Sequence, residues 1–204
     1  MIVNFGCGPT GRTGYLNIDG GPVVLISKLP VPSKLFRSRA GLIEGYRSAA
    51  VTYRTATRLR FAPVSLDGFY ASHVFEHMDP DELAELLSKI AIWLKHGAWL
   101  RVVLPDLKNI ADAYTSGAIQ GDTFIKRLNL STAGQGILAR LFGRSRHRWM
   151  YDRHTFSDLL FSCGFNEVVL CDFGQGADRR LASLDDFGHA HESFYLESRR
   201  SIEA

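Results

Sequence analysis

The residues Asn4-Phe5-Gly6-Cys7-Gly8-Pro9-Thr10-Gly11, followed by an apolar run ending on Asp19, are the part of this chain best suited to hold a ligand. A residue without a Cβ lets backbone N–H groups approach a bound group and accepts positive φ. A carboxylate ending the next strand accepts from two adjacent ribose hydroxyls at once. Gly6, Gly8 and Gly11 satisfy the G-x-G-x-x-G spacing of dinucleotide sites. That mechanism also needs a helix opening at the third glycine and an acid roughly 20 residues further on. Here Pro9, Gly11 and Gly14 interrupt any helix, and Asp19 comes too early to leave room for one. The pattern predicts a site for a ribose without a pyrophosphate. S-adenosylmethionine, with its adenosine, amino-acid tail and sulfonium, is such a ligand. A chance turn between two strands is the plain alternative.

A second group that could do chemistry is His73-Val74-Phe75-Glu76-His77, directly after the apolar run Gly68 to Ser72. Histidine titrates near neutral pH, so His73 and His77 are candidate general bases, with Glu76 to orient either ring. The alternative is that Glu76 and His77 cap and pack a turn. The same five residues spell H-x-x-E-H, an inverted zinc-protease motif. That chemistry wants all three side chains on one helix plus a distant ligand. Asp79-Pro80 starts the helix only after the motif, so no metal is expected. A third cluster, His147-Arg148-Trp149-Met150-Tyr151, follows Arg140, Arg144 and Arg146. His147 and Tyr151 could line an acceptor pocket while the arginines take an anionic group, or Trp149 and Tyr151 could anchor a helix. His189, His191 and Glu192 are expected on the surface.

The elements that must position these residues are legible from periodicity and caps. Ile2 to Phe5, Tyr15 to Ile18, Val51 to Arg54, Gly68 to Ser72, Trp99 to Leu104, Val168 to Phe173 and Ser193 to Leu196 read as strands. Asp79, Pro80 and Glu82 form a capping box for a helix whose Leu83, Leu86, Leu87, Ile90 and Leu94 share a face. Asp106 caps a helix reaching Tyr114, and Asp152 caps one from Arg153 to Cys163. A helical region is expected over 122–142 and a short helix from Lys34 to about Tyr46. Residues 20–50 form an insertion at the site edge that could act as a lid. Strands alternating with helices give an α/β class, in which ligands sit outside the carboxyl ends of the strands.

Composition sets the background. The chain has 204 residues, 46% of them hydrophobic, enough for one domain with a proper core. No apolar run approaches a bilayer span, and three cysteines without metal spacing suit a reducing compartment, so a cytoplasmic setting is expected. Net charge is only +3. It is unevenly placed, with Lys28, Lys34, Arg37, Arg39, Arg47, Arg54, Arg58 and Arg60 facing only Glu44 in that stretch. That island could meet an anionic substrate or form a solvated face; no nucleic-acid motif accompanies it.

Taken together, Asn4 to Gly8, Gly14 to Asp19, Tyr70 to His77, Leu94-Lys95-His96-Gly97 with Leu100 to Leu104, Pro105-Asp106-Leu107 and His147 to Asp152 resemble the class I S-adenosylmethionine-dependent methyltransferases, in particular small ones with a short glycine loop. The resemblance spans nearly the whole chain in the family's order. It implies a single-domain Rossmann-like sheet over 1–204, seven-stranded and mostly parallel with an antiparallel last strand, and helices on both faces. It implies methyl transfer to a small-molecule or glycan-type acceptor. S-adenosylmethionine is expected at Asn4, Gly6, Cys7, Gly8, Asp19, Ser72 and His73, and catalysis at His73, His77 and Tyr151. The pattern departs at Arg54, where an acid usually follows the third strand, and at His96-Gly97-Ala98. Arg54 and the short loop favour the alternative, a non-catalytic nucleoside- or S-adenosylmethionine-binding module of the same fold.

Overall fold

The computed structural model of the chain describes residues 1–30, 32, 40–130 and 146–200. Seven strands form one sheet in the order β3-β2-β1-β4-β5-β7-β6. They are β1 (Ile2–Phe5), β2 (Leu16–Asp19), β3 (Thr52–Tyr53), β4 (Gly68–Ser72), β5 (Leu100–Pro105), β6 (Glu167–Cys171) and β7 (Ser193–Arg199). β1 to β5 are mutually parallel, and β7 runs antiparallel to both β5 and β6. Strand order reverses direction between β1 and β4, which opens a crevice beyond their carboxyl ends. The expected strands all form, with ends shifted by a few residues. One shift makes Asp19 the last residue of β2.

Alternation along the central strands sends side chains to two cores. Val3, Phe5, Phe69, Ala71, Val102 and Leu104 pack under α3 (Pro80–Trp93) and α6 (Arg153–Ser162). Ile2, Tyr70, Val103 and Tyr195 face the other way, onto Leu181 of α7 (Arg179–Ala182) and Leu184. Asp79 caps α3 by accepting from the Asp81 N–H, so the cap is real but the reciprocal arm expected of Glu82 is not what closes it. Asp106 caps α4 (Leu107–Thr115), and Asp152 caps α6 through the Thr155 N–H. α5 (Gly121–Leu128) is the described part of the region expected over 122–142; the remainder, with Arg140 and Arg144, lies outside the described residues.

Two features set the site. The β1–β2 crossover, residues 6–15, holds a 3₁₀ turn at Gly8–Thr10 in place of a helix. The sheet face that such a helix would cover is closed instead by residues 172–192. Arg101, buried on β5, ties them down through a bidentate pair with Asp185 (2.9 and 2.6 Å), a 3.0 Å contact to Glu197 and bonds to the carbonyls of Gln175 and Asp172. Tyr15, on the crossover, donates to the Arg180 carbonyl of the same segment. The 20–50 insertion builds α1 (Pro22–Ser27) and α2 (Ala40–Ser48), which share a small core with Val51 and Cys7. α2 starts later than the expected Lys34, and residues 33–39, with Lys34, Arg37 and Arg39, lie outside the described residues. Gly45 of α2 abuts Pro9 closely enough that a Cβ would meet the proline at 2.7 Å. The described helices therefore brace the glycine turn from behind. Arg47, one of the basic island, binds the Ser27 and Leu29 carbonyls at the end of α1, a structural use of its charge. Among the described residues no helix is long and apolar enough to cross a membrane.

Candidate functional site

The glycine loop takes its shape from backbone conformations that other residues resist. Gly6 (φ 71°) donates to the Ile18 carbonyl at 2.7 Å, and a Cβ there would strike Val74. Gly8 (φ 58°) has nothing within 4 Å of where a Cβ would stand, so the space beside it is open, although its N–H is committed to Asp19. Behind the loop, Asn17 accepts from Asn4 (3.1 Å) and from the Arg12 N–H (3.0 Å) and donates to the Arg12 carbonyl (2.9 Å). Because Asn4 and Asn17 are register partners in β1 and β2, this buried amide pair is built into the sheet. Asn4 was expected at the cofactor; Asn17, which holds the crossover, was not singled out.

Asp19 stands at the end of β2 with each carboxylate oxygen already engaged: Oδ2 accepts from the Gly8 N–H at 3.0 Å and Oδ1 from the Gly21 N–H at 2.6 Å. Burial, then the negative charge of Asp19, push the Tyr46 hydroxyl upward. Asp19 thus fixes the glycine loop to the turn before α1, and its remaining lone pairs are what it can offer a ribose. Arg54 follows β3 beside it, its N–H bonded to the Asp19 carbonyl at 3.1 Å.

Two cavities meet at the crevice. The first, of about 470 Å³, is lined by Asn4 to Gly8, by Ser72 and His73, and by Leu184, Asp186 and His189 of the covering segment. Asp19 is not among its lining residues; it adjoins the cavity through Gly8, whose N–H it holds. Cys7 lines it, but burial and then Asp19 push its thiol up to about 12, which makes it inert at neutral pH. The second cavity, about 730 Å³, lies between the 73–77 turn, the middle of α4 and the end of α5. His73, Glu76, His77, His147, Lys126 and Arg127 are among its walls.

His73 and His189 border both cavities, and their rings stack at 3.9 Å. His73 holds φ 53°, a strained conformation for a residue with a Cβ, pinned by its N–H on the Val103 carbonyl and by a 2.9 Å contact of Nε2 with the Ser193 hydroxyl. Burial, then the neighbouring His73, push the His189 imidazole below its ordinary value. His189 was expected on the surface. The structure puts it half-buried in the partition instead, because residues 172–192 fold back over the sheet face. His77 lines the second cavity, its Nδ1 3.0 Å from the Arg146 carbonyl, and His147 joins it from the far side. Tyr151 lies elsewhere: it is 3% exposed, packs edge-on against Phe156 in the larger core, and lines neither cavity. Burial pushes its hydroxyl up to about 12. Trp149 is exposed, so of that pair only Tyr151 anchors the segment.

No protein-family profile and no curated protein matches the sequence. Many solved structures match the fold. A S-adenosylmethionine-dependent methyltransferase from Archaeoglobus fulgidus aligns over 98% of this chain and 85% of its own, with a TM-score of 0.57 at 13% identity. One from Methanosarcina mazei aligns over 99% and 92%, with a TM-score of 0.53 at 15% identity. A Bordetella parapertussis protein described as a possible exported protein aligns over 98% of this chain at 14% identity, TM-score 0.53, and the chain spans 62% of its length. With the strand order, the antiparallel β7 and helices on both faces, these likenesses establish the fold as that of the class I S-adenosylmethionine-dependent methyltransferases.

Proposed function

We propose that the chain is a cytoplasmic methyltransferase that binds S-adenosylmethionine in the first cavity, takes a small-molecule or glycan-type acceptor in the second, and transfers the methyl group past the His73–His189 partition. The observation that supports this most is the sharing of that histidine pair by two cavities at the point where strand order reverses. Volumes of 470 and 730 Å³ fall within the roughly 300–1,000 Å³ of small-ligand sites. The loop suits the donor because no side chain crowds Gly8 and Asn4, Ser72 and His73 ring the same space.

When bound, the sulfonium supplies an electrophilic methyl carbon. The protein's part is to hold the acceptor atom in line with it and exclude water. With the donor held among Asn4, Gly8, Ser72 and His73, the acceptor's lone pair would take that methyl, the electron pair of the broken carbon–sulfur bond staying on sulfur. A hydroxyl acceptor would also lose a proton, which His73, at the partition, would receive. Lys126 and Arg127 at the far wall suit an acidic group on the acceptor.

A screen with methyl-labelled S-adenosylmethionine against hydroxylated and glycan-type compounds tests the reading. Transfer is expected, and His73→Gln should lower kcat about 10²–10⁴-fold. Donor binding without transfer to any compound would favour the binding-module alternative, which Arg54 beside Asp19 supports.

A further inference from the structure

Glu76 is 1% exposed, and neither of its carboxylate oxygens has a hydrogen-bond partner. A buried carboxylate left so is expensive and calls for a cation or a proton. Three imidazoles surround it. His77 Nε2 stands 3.8 Å and His147 Nε2 3.9 Å from Oε1, too far for hydrogen bonds, while His73 Nδ1 lies at 3.4 Å without forming one.

The outer nitrogens of two of these rings are committed. His77 Nδ1 lies 3.0 Å from the Arg146 carbonyl, which can only accept, so Nδ1 carries the N–H and donates. His147 Nδ1 lies 3.1 Å from the Met150 sulfur, also only an acceptor, and the same tautomer follows. In these tautomers both Nε2 atoms are acceptors, 3.8 and 3.9 Å from the Glu76 carboxylate. Acceptors facing one another repel, and a cation between them removes the repulsion. The carbonyl-oriented histidine is the second-shell arrangement that fixes imidazole ligands on metals.

We propose that Glu76, His77 and His147 bind a divalent transition-metal ion of the Zn²⁺ type, open on the side of the second cavity. The three ligand atoms lie within 4.8 Å of one another. Bonds of about 2.0–2.1 Å around a tetrahedral ion place donors about 3.4 Å apart, so closing on the ion needs each side chain to move by up to about 0.7 Å. Two imidazoles and one carboxylate suit a borderline metal better than Mg²⁺ or Ca²⁺, and three protein ligands leave a position for substrate. The third ligand comes from a distant segment tied to the turn it serves: the Glu76 carbonyl accepts from the Arg148 N–H at 2.7 Å, and the His147 N–H donates to the Asn129 carbonyl at 3.1 Å. This departs from the expectation of no metal, which rested on the motif leaving a strand instead of riding one helix. Resting on the methyl-transfer reading, the open position takes an acceptor oxygen and eases loss of its proton.

The test needs neither acceptor nor S-adenosylmethionine. The chelator-treated full chain is titrated with Co²⁺ and followed by visible absorption, then with Zn²⁺ by calorimetry. One ion per chain is expected, with Zn²⁺ displacing Co²⁺. His147→Ala and Glu76→Gln should each weaken binding by at least about tenfold, and His154→Ala, at an exposed histidine of α6, should not. Circular dichroism of the metal-free variants checks folding; should Glu76→Gln not fold, His147→Ala, which removes no charge from the buried carboxylate, decides the matter. No binding, or equal affinity in His147→Ala and wild type, overturns the site. Failure to bind S-adenosylmethionine would sink the transfer reading and leave this result standing.

Discussion

Asp19 combines two demands on one carboxylate. It holds the Gly8 and Gly21 N–H groups, which set the loop, and in the proposed donor site its remaining lone pairs would accept from a ribose. Asp19→Ala should therefore lower folding stability by about 1–3 kcal/mol in a denaturant titration as well as weaken donor binding. Wild-type stability would mean that the two charged hydrogen bonds contribute nothing. Cys7 gives a second residue-scale expectation. With its thiol held at about 12, alkylation at pH 7 should be slow and should still be rising at pH 10, as followed by mass spectrometry. A plateau below pH 9 would contradict the burial assigned to it. The presence of a carboxylate and a cysteine here was legible in the sequence. Their partners were not, because which N–H faces Asp19 depends on a path through positive φ at Gly6 and Gly8.

Among the elements, the helix-free crossover was readable from Pro9, Gly11 and Gly14, yet the residue that steadies it was not. Asn17 sits inside an apolar strand, and nothing in the pattern says that its amide turns back to bind Arg12. Asn17→Ala leaves the Arg12 N–H and carbonyl and the Asn4 amide short of partners. It should cost about 1–3 kcal/mol and expose the crossover to cleavage at Arg12. Caps were the most legible feature of all, since an aspartate before a helical period is a local signal. Asp152→Ala should cost about 0.5–2 kcal/mol near neutral pH. The Thr155 N–H holds the Asp152 carboxyl below its ordinary 3.8, so this contribution is present above that value and is lost as pH falls through the lower folded one. Wild type and variant should converge in acid; a gap that stays constant to low pH would speak against the cap.

For the whole molecule, the α/β class followed from alternating strands and helices, and the seven-stranded sheet with an antiparallel last strand from the family resemblance; the strand order did not. The covering segment did not, because the need for it arises only once a sheet face is left bare. Its anchor, Arg101, read in the sequence as one charge in an apolar strand. Asp185→Ala should cost about 3–5 kcal/mol by leaving the Arg101 guanidinium short of its bidentate partner. In any fraction that still folds, donor affinity should fall too, because Leu184, Asp186 and His189 of that segment wall the first cavity. The central claim is that the first cavity is a methyl-donor site, and calorimetric titration of the wild-type chain with S-adenosylmethionine and with its demethylated product tests it most directly. Saturable binding of both at one site per chain is the result expected; no heat of binding at millimolar ligand would contradict the account.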